Sequence, residues 1–121
     1  MLKTKKHFVI FEPFDVIIFG FPYVEKARIV KRPAVVLTSH KDFGETSGIA
    51  IVAMITSARN SAWPFDIPIS DLAGAGLMQP CSVRMKINSA SYELIEKRIG
   101  SLAPSDRKAV SDGLRRLLPL Y

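Results

Sequence analysis

The chain has a single cysteine, Cys81, so no internal disulfide is open to it and a packed core must hold it together. A lone thiol fits a reducing compartment, and a cytoplasmic location is expected. Cys81 has no neighbouring base in sequence and reads as a buried, inert thiol. Histidines are as scarce. His7 and His40 have no Cys or His partner at ligand spacing, and no carboxylate cluster resembles a hard-cation loop. No metal site and no cofactor are expected, and both histidines are expected at the surface. A glycine-rich phosphate loop is missing too, because Gly74-Ala75-Gly76 precedes no helix of the required form. Long apolar runs are lacking, and none approaches the eighteen or so residues of a membrane span. The cations of Met1–His7 are followed by apolar Phe8–Phe11, but Glu12, Pro13 and Asp15 break that run without a small-residue cleavage site. Neither a membrane association nor a signal peptide is expected.

What is present is apolar and basic. At 121 residues and 48% hydrophobic, the chain is long enough for one self-sufficient domain over residues 1–121, with 1–10 a short N-terminal extension. Its apolar content suits a filled β-rich core or a surface buried in an oligomer. The formal charge is +6 and unevenly spread. Residues 1–33 carry seven Lys or Arg against three Asp or Glu, and residues 80–121 carry eight against four; residues 34–79 carry two against four. Basic segments thus flank an acidic middle, a weak pointer to a polyanionic partner.

Asp15–Tyr23 is rich in β-branched and aromatic residues and reads as a first strand, with a bulge or bend at Gly20 and its ladder ending at Pro22. Tyr23–Val30 reads as a loop. Lys31-Arg32-Pro33 then opens a second strand, Ala34–Thr38, with Pro33 at its first position and Arg32 held extended at its mouth. Ser39–Ser47 is a polar loop. Gly48–Ile55 is a third apolar strand, followed by the hydroxyl-rich Thr56-Ser57-Ala58-Arg59-Asn60-Ser61. Trp63–Ile69, with two prolines, reads as an edge strand, and Ser70–Leu77 as turn or short helix. Cys81–Ile87 alternates, placing Arg84 and Lys86 on one face. Ser89–Arg98 fits a short helix, and Lys97–Leu102 equally fits a last strand. Pro104 opens an amphipathic helix with Val110, Leu114, Leu117 and Leu118 on one face, ended by Pro119. The expected fold is mainly β with α: a small β-barrel of short strands carrying a C-terminal helix.

Cations and hydroxyls therefore gather at strand ends: Arg32, then Thr56, Ser57 and Arg59, then Arg84 and Lys86. Adjacent strand ends of a small barrel can bring such groups to one rim. Guanidinium and hydroxyl suit a phosphodiester, since arginine grips two phosphate oxygens and stabilises charge accumulating on phosphorus. Trp63, Phe65 and Tyr23 fit either base stacking on a single strand or packing in a core or dimer interface. Lys31 and Arg32 fit either a phosphate site or a solvated loop end.

The ordered set Asp15-Val16-Ile17-Ile18 with Phe21-Pro22-Tyr23, Lys31–Leu37, Ile51–Ser57, Pro64–Ile69, Gly76–Arg84 and Arg98–Leu102 resembles the MazF/PemK-like toxins of type II toxin–antitoxin systems, over nearly the whole chain. That resemblance implies an SH3-like barrel of five to seven strands, usually homodimeric, that cuts single-stranded RNA without a metal. It implies attack of the 2′-hydroxyl on the adjacent phosphate, leaving a 2′,3′-cyclic phosphate. Arg32 and Thr56 would be the catalytic residues, with Lys31, Ser57, Arg59, Trp63, Arg84 and Lys86 binding RNA. An acidic antitoxin is the implied protein partner. Three departures stand out: Phe14 replaces a glycine, Met54 a proline, and Lys86 a carboxylate that some branches carry two residues after the arginine matching Arg84. With Lys86 there, a carboxylate-base mechanism is not expected, and Arg84 is left as acid or phosphate clamp. Two alternatives remain: a CcdB-like gyrase-binding toxin acting through the C-terminal helix, and a cleavage-defective RNA-binding relative.

Overall fold

The computed structural model describes residues 9–23, 28–59 and 62–119, with the backbone alone for residues 21–23, 28 and 29. Six antiparallel strands form one sheet: β1 (Asp15–Tyr23), β2 (Arg28–Val36), β3 (Ile49–Ser57), β4 (Ile67–Pro68), β5 (Cys81–Ser91) and β6 (Ile95–Ser101), in the order β4-β5-β3-β2-β1-β6. The two outer strands, β4 and β6, are not paired with each other, so the sheet is strongly two-faced but open rather than a closed barrel. The mainly β architecture with a C-terminal helix is otherwise as expected.

The uninterrupted apolar runs of the central strands follow from burial on both faces. Along β3, Ala50, Val52 and Met54 enter one cluster with Ile17, Phe19, Ala34 and Val36; Ala53 and Ile55 enter the other with Val16, Val35 and Val83. Phe11 and Tyr92 cover the first face, and the second is covered by the segment around Ile69–Leu77 and the helix α2 (Pro104–Leu117). Pro104 stands at the first turn of α2, where its missing amide costs nothing. Val110 is buried, Leu114 and Leu117 are half-buried against the second cluster, and Leu118, expected on the same face, lies exposed beyond the helix end.

Several boundaries differ from the expected ones. The loop read over Tyr23–Val30 is largely ladder: Pro22 pairs with Ile29 and Tyr23 with Arg28. Pro33 is consequently inside β2, and Arg32 is its fifth residue rather than its mouth. Pro33 is tolerated because pairing with β3 begins only at Ala34, leaving the strand a free edge there. β2 ends at Val36, not Thr38. Gly20 carries no bulge; the irregularities of β1 against β6 fall at Val16/Ile17 and Ile18/Phe19. The polar segment after β2 is helical, with a wide turn at His40–Gly44 running into α1 (Glu45–Ser47). Thr56 and Ser57 lie within β3, β4 is only two residues long, and β5 runs on to Ser91. The ambiguous stretch after Ser89 resolves into a single helical turn, Tyr92–Leu94, followed by β6.

His40 is buried at 7% exposure, not at the surface. Its Nδ1 shares a hydrogen bond of 2.8 Å with the Tyr92 hydroxyl, and the two rings stack. Burial, with the nearby Glu12 charge, pushes the Tyr92 phenol up. His7 lies outside the described residues. Asp106, in the first turn of α2, is buried and accepts hydrogen bonds from the Ser70 and Asp71 amides and the Ser70 hydroxyl, tying α2 to the loop it covers.

Candidate active site

Side chains alternate across a strand, so each candidate's face is fixed by its neighbours. Arg32 shares a face with Ala34 and Val36, and Thr56 shares the same face with Met54 and Val52. The β2–β3 ladder pairs Ala34 with Met54, Val35 with Ala53 and Val36 with Val52. Carried two residues past its last pair, that register sets Arg32 across from Thr56, where the strands separate. On the other side of β3, Thr56 pairs with Ser82 and Met54 with Arg84 of β5. Arg32, Thr56, Ser82 and Arg84 therefore lie in neighbouring positions on one face, at the rim of the first core cluster.

β5 contributes a distortion here. Ala53 pairs with Ile87 but Met54 with Arg84, so Met85 and Lys86 are extra residues in β5. A bulge of two residues keeps the alternation of faces, so Lys86, exposed, stays on the side of Arg84. Its ammonium lies 5.9 Å from the centre of the Trp63 ring, and the Arg84 guanidinium lies 5.2 Å from it. Arg84 is also held by Asp66: Nε donates to one carboxylate oxygen at 3.2 Å and Nη2 to the other at 3.0 Å. Their side chains are only 12% and 24% exposed. The pair follows from register, since Ile67 pairs with Val83 and Pro68 with Ser82, which brings Asp66 opposite Arg84. The hydrogen bonds that it donates to Asp66 hold the Arg84 guanidinium above its ordinary pKa. Held in this way, Arg84 presents a fixed positive charge beside Trp63.

The remaining candidates are not gathered there. Lys31 points to the opposite face from Arg32 and pairs with Glu96 of β6 at 3.0 Å, holding the Glu96 carboxyl below its usual range. Its ladder partner on the intervening β1 is Gly20, which has no side chain to stand between them. Ser57 lies on the face opposite to Thr56, and its hydroxyl accepts from the Arg59 amide at 3.3 Å. Arg59 is exposed in the following turn. Phe65 is half-buried against the second core cluster with Arg116 stacked on it at 4.3 Å, which makes it a packing residue. The Tyr23 side chain lies outside the described residues. Asp66 is not among the residues the sequence singles out, although it is the only acidic residue between Glu45 and Asp71. Cys81 is buried, which pushes its thiol up, as read from sequence. Among the described residues, no group of three His, Cys, Asp or Glu side chains stands together, and no helix is long and apolar enough to cross a membrane.

This fold, a six-stranded antiparallel sheet with a C-terminal helix, recurs in solved structures. A MazE–MazF crystal structure from Deinococcus radiodurans matches with a TM-score of 0.74 at 17% identity, over 93% of this chain and 100% of that one. The Mycobacterium tuberculosis toxin MazF-mt6 matches at 0.67 and 20% identity, over 88% and 98%. A mycobacterial endoribonuclease in complex with its cognate antitoxin matches at 0.71 and 11% identity, over 91% and 96%. At such identities these likenesses define the fold. No curated protein matches the chain in sequence. The family model of the PemK-like, MazF-like toxins of type II toxin–antitoxin systems matches residues 12–118, and the chain belongs to that family.

Proposed function

We propose that the chain is an endoribonuclease toxin that cuts single-stranded RNA in the cytoplasm without a metal, as a homodimer held in check by an acidic antitoxin. The observation that carries this reading is the β2–β3 register, which extended by two residues sets Arg32 across from Thr56 on one face of the sheet, with Arg84 and Trp63 on the neighbouring strand and turn. The family supports it, as do the endoribonuclease and MazE–MazF titles of its structural neighbours. The basic flanks of the sequence suit both a polyanionic substrate and an acidic partner.

In this reading a phosphodiester sits over the rim. The 2′-oxygen bonds to phosphorus while the P–O5′ bond breaks; the 2′-hydroxyl gives up its proton and the departing 5′-oxygen takes one. Negative charge grows on the two non-bridging oxygens, and the Arg32 guanidinium answers it with paired N–H donors while the Thr56 hydroxyl donates a further hydrogen bond. Charge-stabilising donors of this kind are worth about 10²–10³ in rate each.

The test is direct. Wild-type protein cuts single-stranded RNA in excess EDTA. Arg32→Ala and Thr56→Ala each lower kcat/KM by at least about a hundredfold, with unchanged circular dichroism. Cleavage that survives Arg32→Ala removes that residue from the reaction.

A further inference from the structure

Asp66 and Trp63 belong to one tight turn, closed by a hydrogen bond from the Asp66 amide to the Trp63 carbonyl at 3.3 Å. Between them Phe65 holds φ at 63°, in the left-handed region that a bulky side chain avoids. Strained backbone persists only where its surroundings over-determine it, and it marks sites where strain serves a purpose. Here the surroundings are visible. Arg116 of α2 covers the Phe65 ring from outside, the second core cluster takes it from inside, and Arg84 grips Asp66 through two hydrogen bonds. The same turn presents one exposed ring, Trp63 at 40%, with the Arg84 guanidinium and the Lys86 ammonium 5.2 and 5.9 Å from its centre.

We propose that Asp66 is a positioning residue of the RNA site: by fixing Arg84 it holds Trp63 in place as the platform on which an unpaired base stacks. This inference rests on the RNA reading above. Asp66 contributes preorganisation. A flat indole clamped by two cations loses little freedom when a base stacks on it, so the stacking energy appears as affinity. A competing view makes Asp66 a stand-in for phosphate that RNA must displace from Arg84. The two views predict opposite signs.

The test uses the intact chain and a 2′-O-methyl oligoribonucleotide of mixed sequence, which offers bases and phosphates but no attacking hydroxyl. Asp66→Asn is expected to raise Kd about tenfold, the scale of one lost base stack. It should also shift the emission of Trp63, the chain's single tryptophan, to longer wavelength. Trp63→Ala should raise Kd by a similar factor, and the double variant should be no weaker than Trp63→Ala alone, because both changes remove the same platform. Arg84→Lys keeps the cation but loses the two-pronged grip, and should match Asp66→Asn; it serves also if that variant folds poorly. Wild-type or tighter binding by Asp66→Asn, or losses that multiply in the double variant, would overturn the proposal. Failure of the wild-type chain to bind the oligonucleotide overturns the RNA reading itself, and this inference with it.

Discussion

Two neighbouring cations show what decides a residue's part in this protein. Lys31 and Arg32 are alike in sequence, but alternation along β2 sends them to opposite faces, one to Glu96 and one to the rim across from Thr56. No sequence pattern separates them; the register of β2 against β3 does. Asp66 was hidden for the same reason, its partner being eighteen positions away on another strand. Phe14 shows the reverse. Standing where the resemblance sets a glycine, it takes φ of 73°, a backbone that glycine adopts without strain, with the Arg107 guanidinium 5.5 Å from its ring centre. Two glycines with the same backbone allow a clean comparison. Gly48 and Gly76 have φ of 74° and 77°, but a Cβ at Gly48 would meet open space whereas one at Gly76 would run into the Ile99 carbonyl. Gly48→Ala should therefore cost about 1 kcal/mol and Gly76→Ala at least about 2 kcal/mol more, read from urea midpoints. Equal costs would show that the loop at Gly76 yields.

At the scale of elements, what was legible was whatever local chemistry dictates. The β-branched and aromatic run of β1 and the proline-opened α2 have the bounds their residues suggest. The loop before α1 and the position of His40 were not legible, because the Tyr92 that buries His40 lies fifty-two positions on. That contact joins the helical turn at His40–Gly44 to the end of β5, and Phe11 packs edge-on to the same ring. Tyr92→Phe leaves a buried imidazole without its partner and should cost about 1–2 kcal/mol, lowering Tm by roughly 3–6 °C. The pH dependence has a definite sign. The folded state raises the Tyr92 pKa, so this phenol stabilises the fold below about pH 10, the usual tyrosine value, and the contribution is lost as pH climbs through the folded-state pKa. Wild-type stability should thus fall above pH 10 more steeply than that of Tyr92→Phe, measured by denaturant melts across pH 8–11.5. Parallel curves would remove Tyr92 from the alkaline transition.

At the scale of the whole molecule, two-faced burial explains both the high apolar content and the continuous runs of β3, which a one-faced sheet would have broken into alternation. The expected barrel is an open sheet whose outermost strand, β4, is two residues long. Its shortness bears on function, because it lets the turn ahead of it carry Trp63 and Asp66 over the face that Arg32 and Thr56 share. The gyrase-binding alternative, which uses no such face, predicts that gyrase is poisoned and RNA left intact. An RNA-binding relative without activity predicts protected rather than shortened RNA. The central claim is tested by the ends of the RNA that the purified chain leaves after incubation with EDTA. Fragments ending in a 2′,3′-cyclic phosphate and beginning with a 5′-hydroxyl are expected, and none with Arg32→Ala. Intact RNA, or fragments bearing a 5′-phosphate, would contradict that claim.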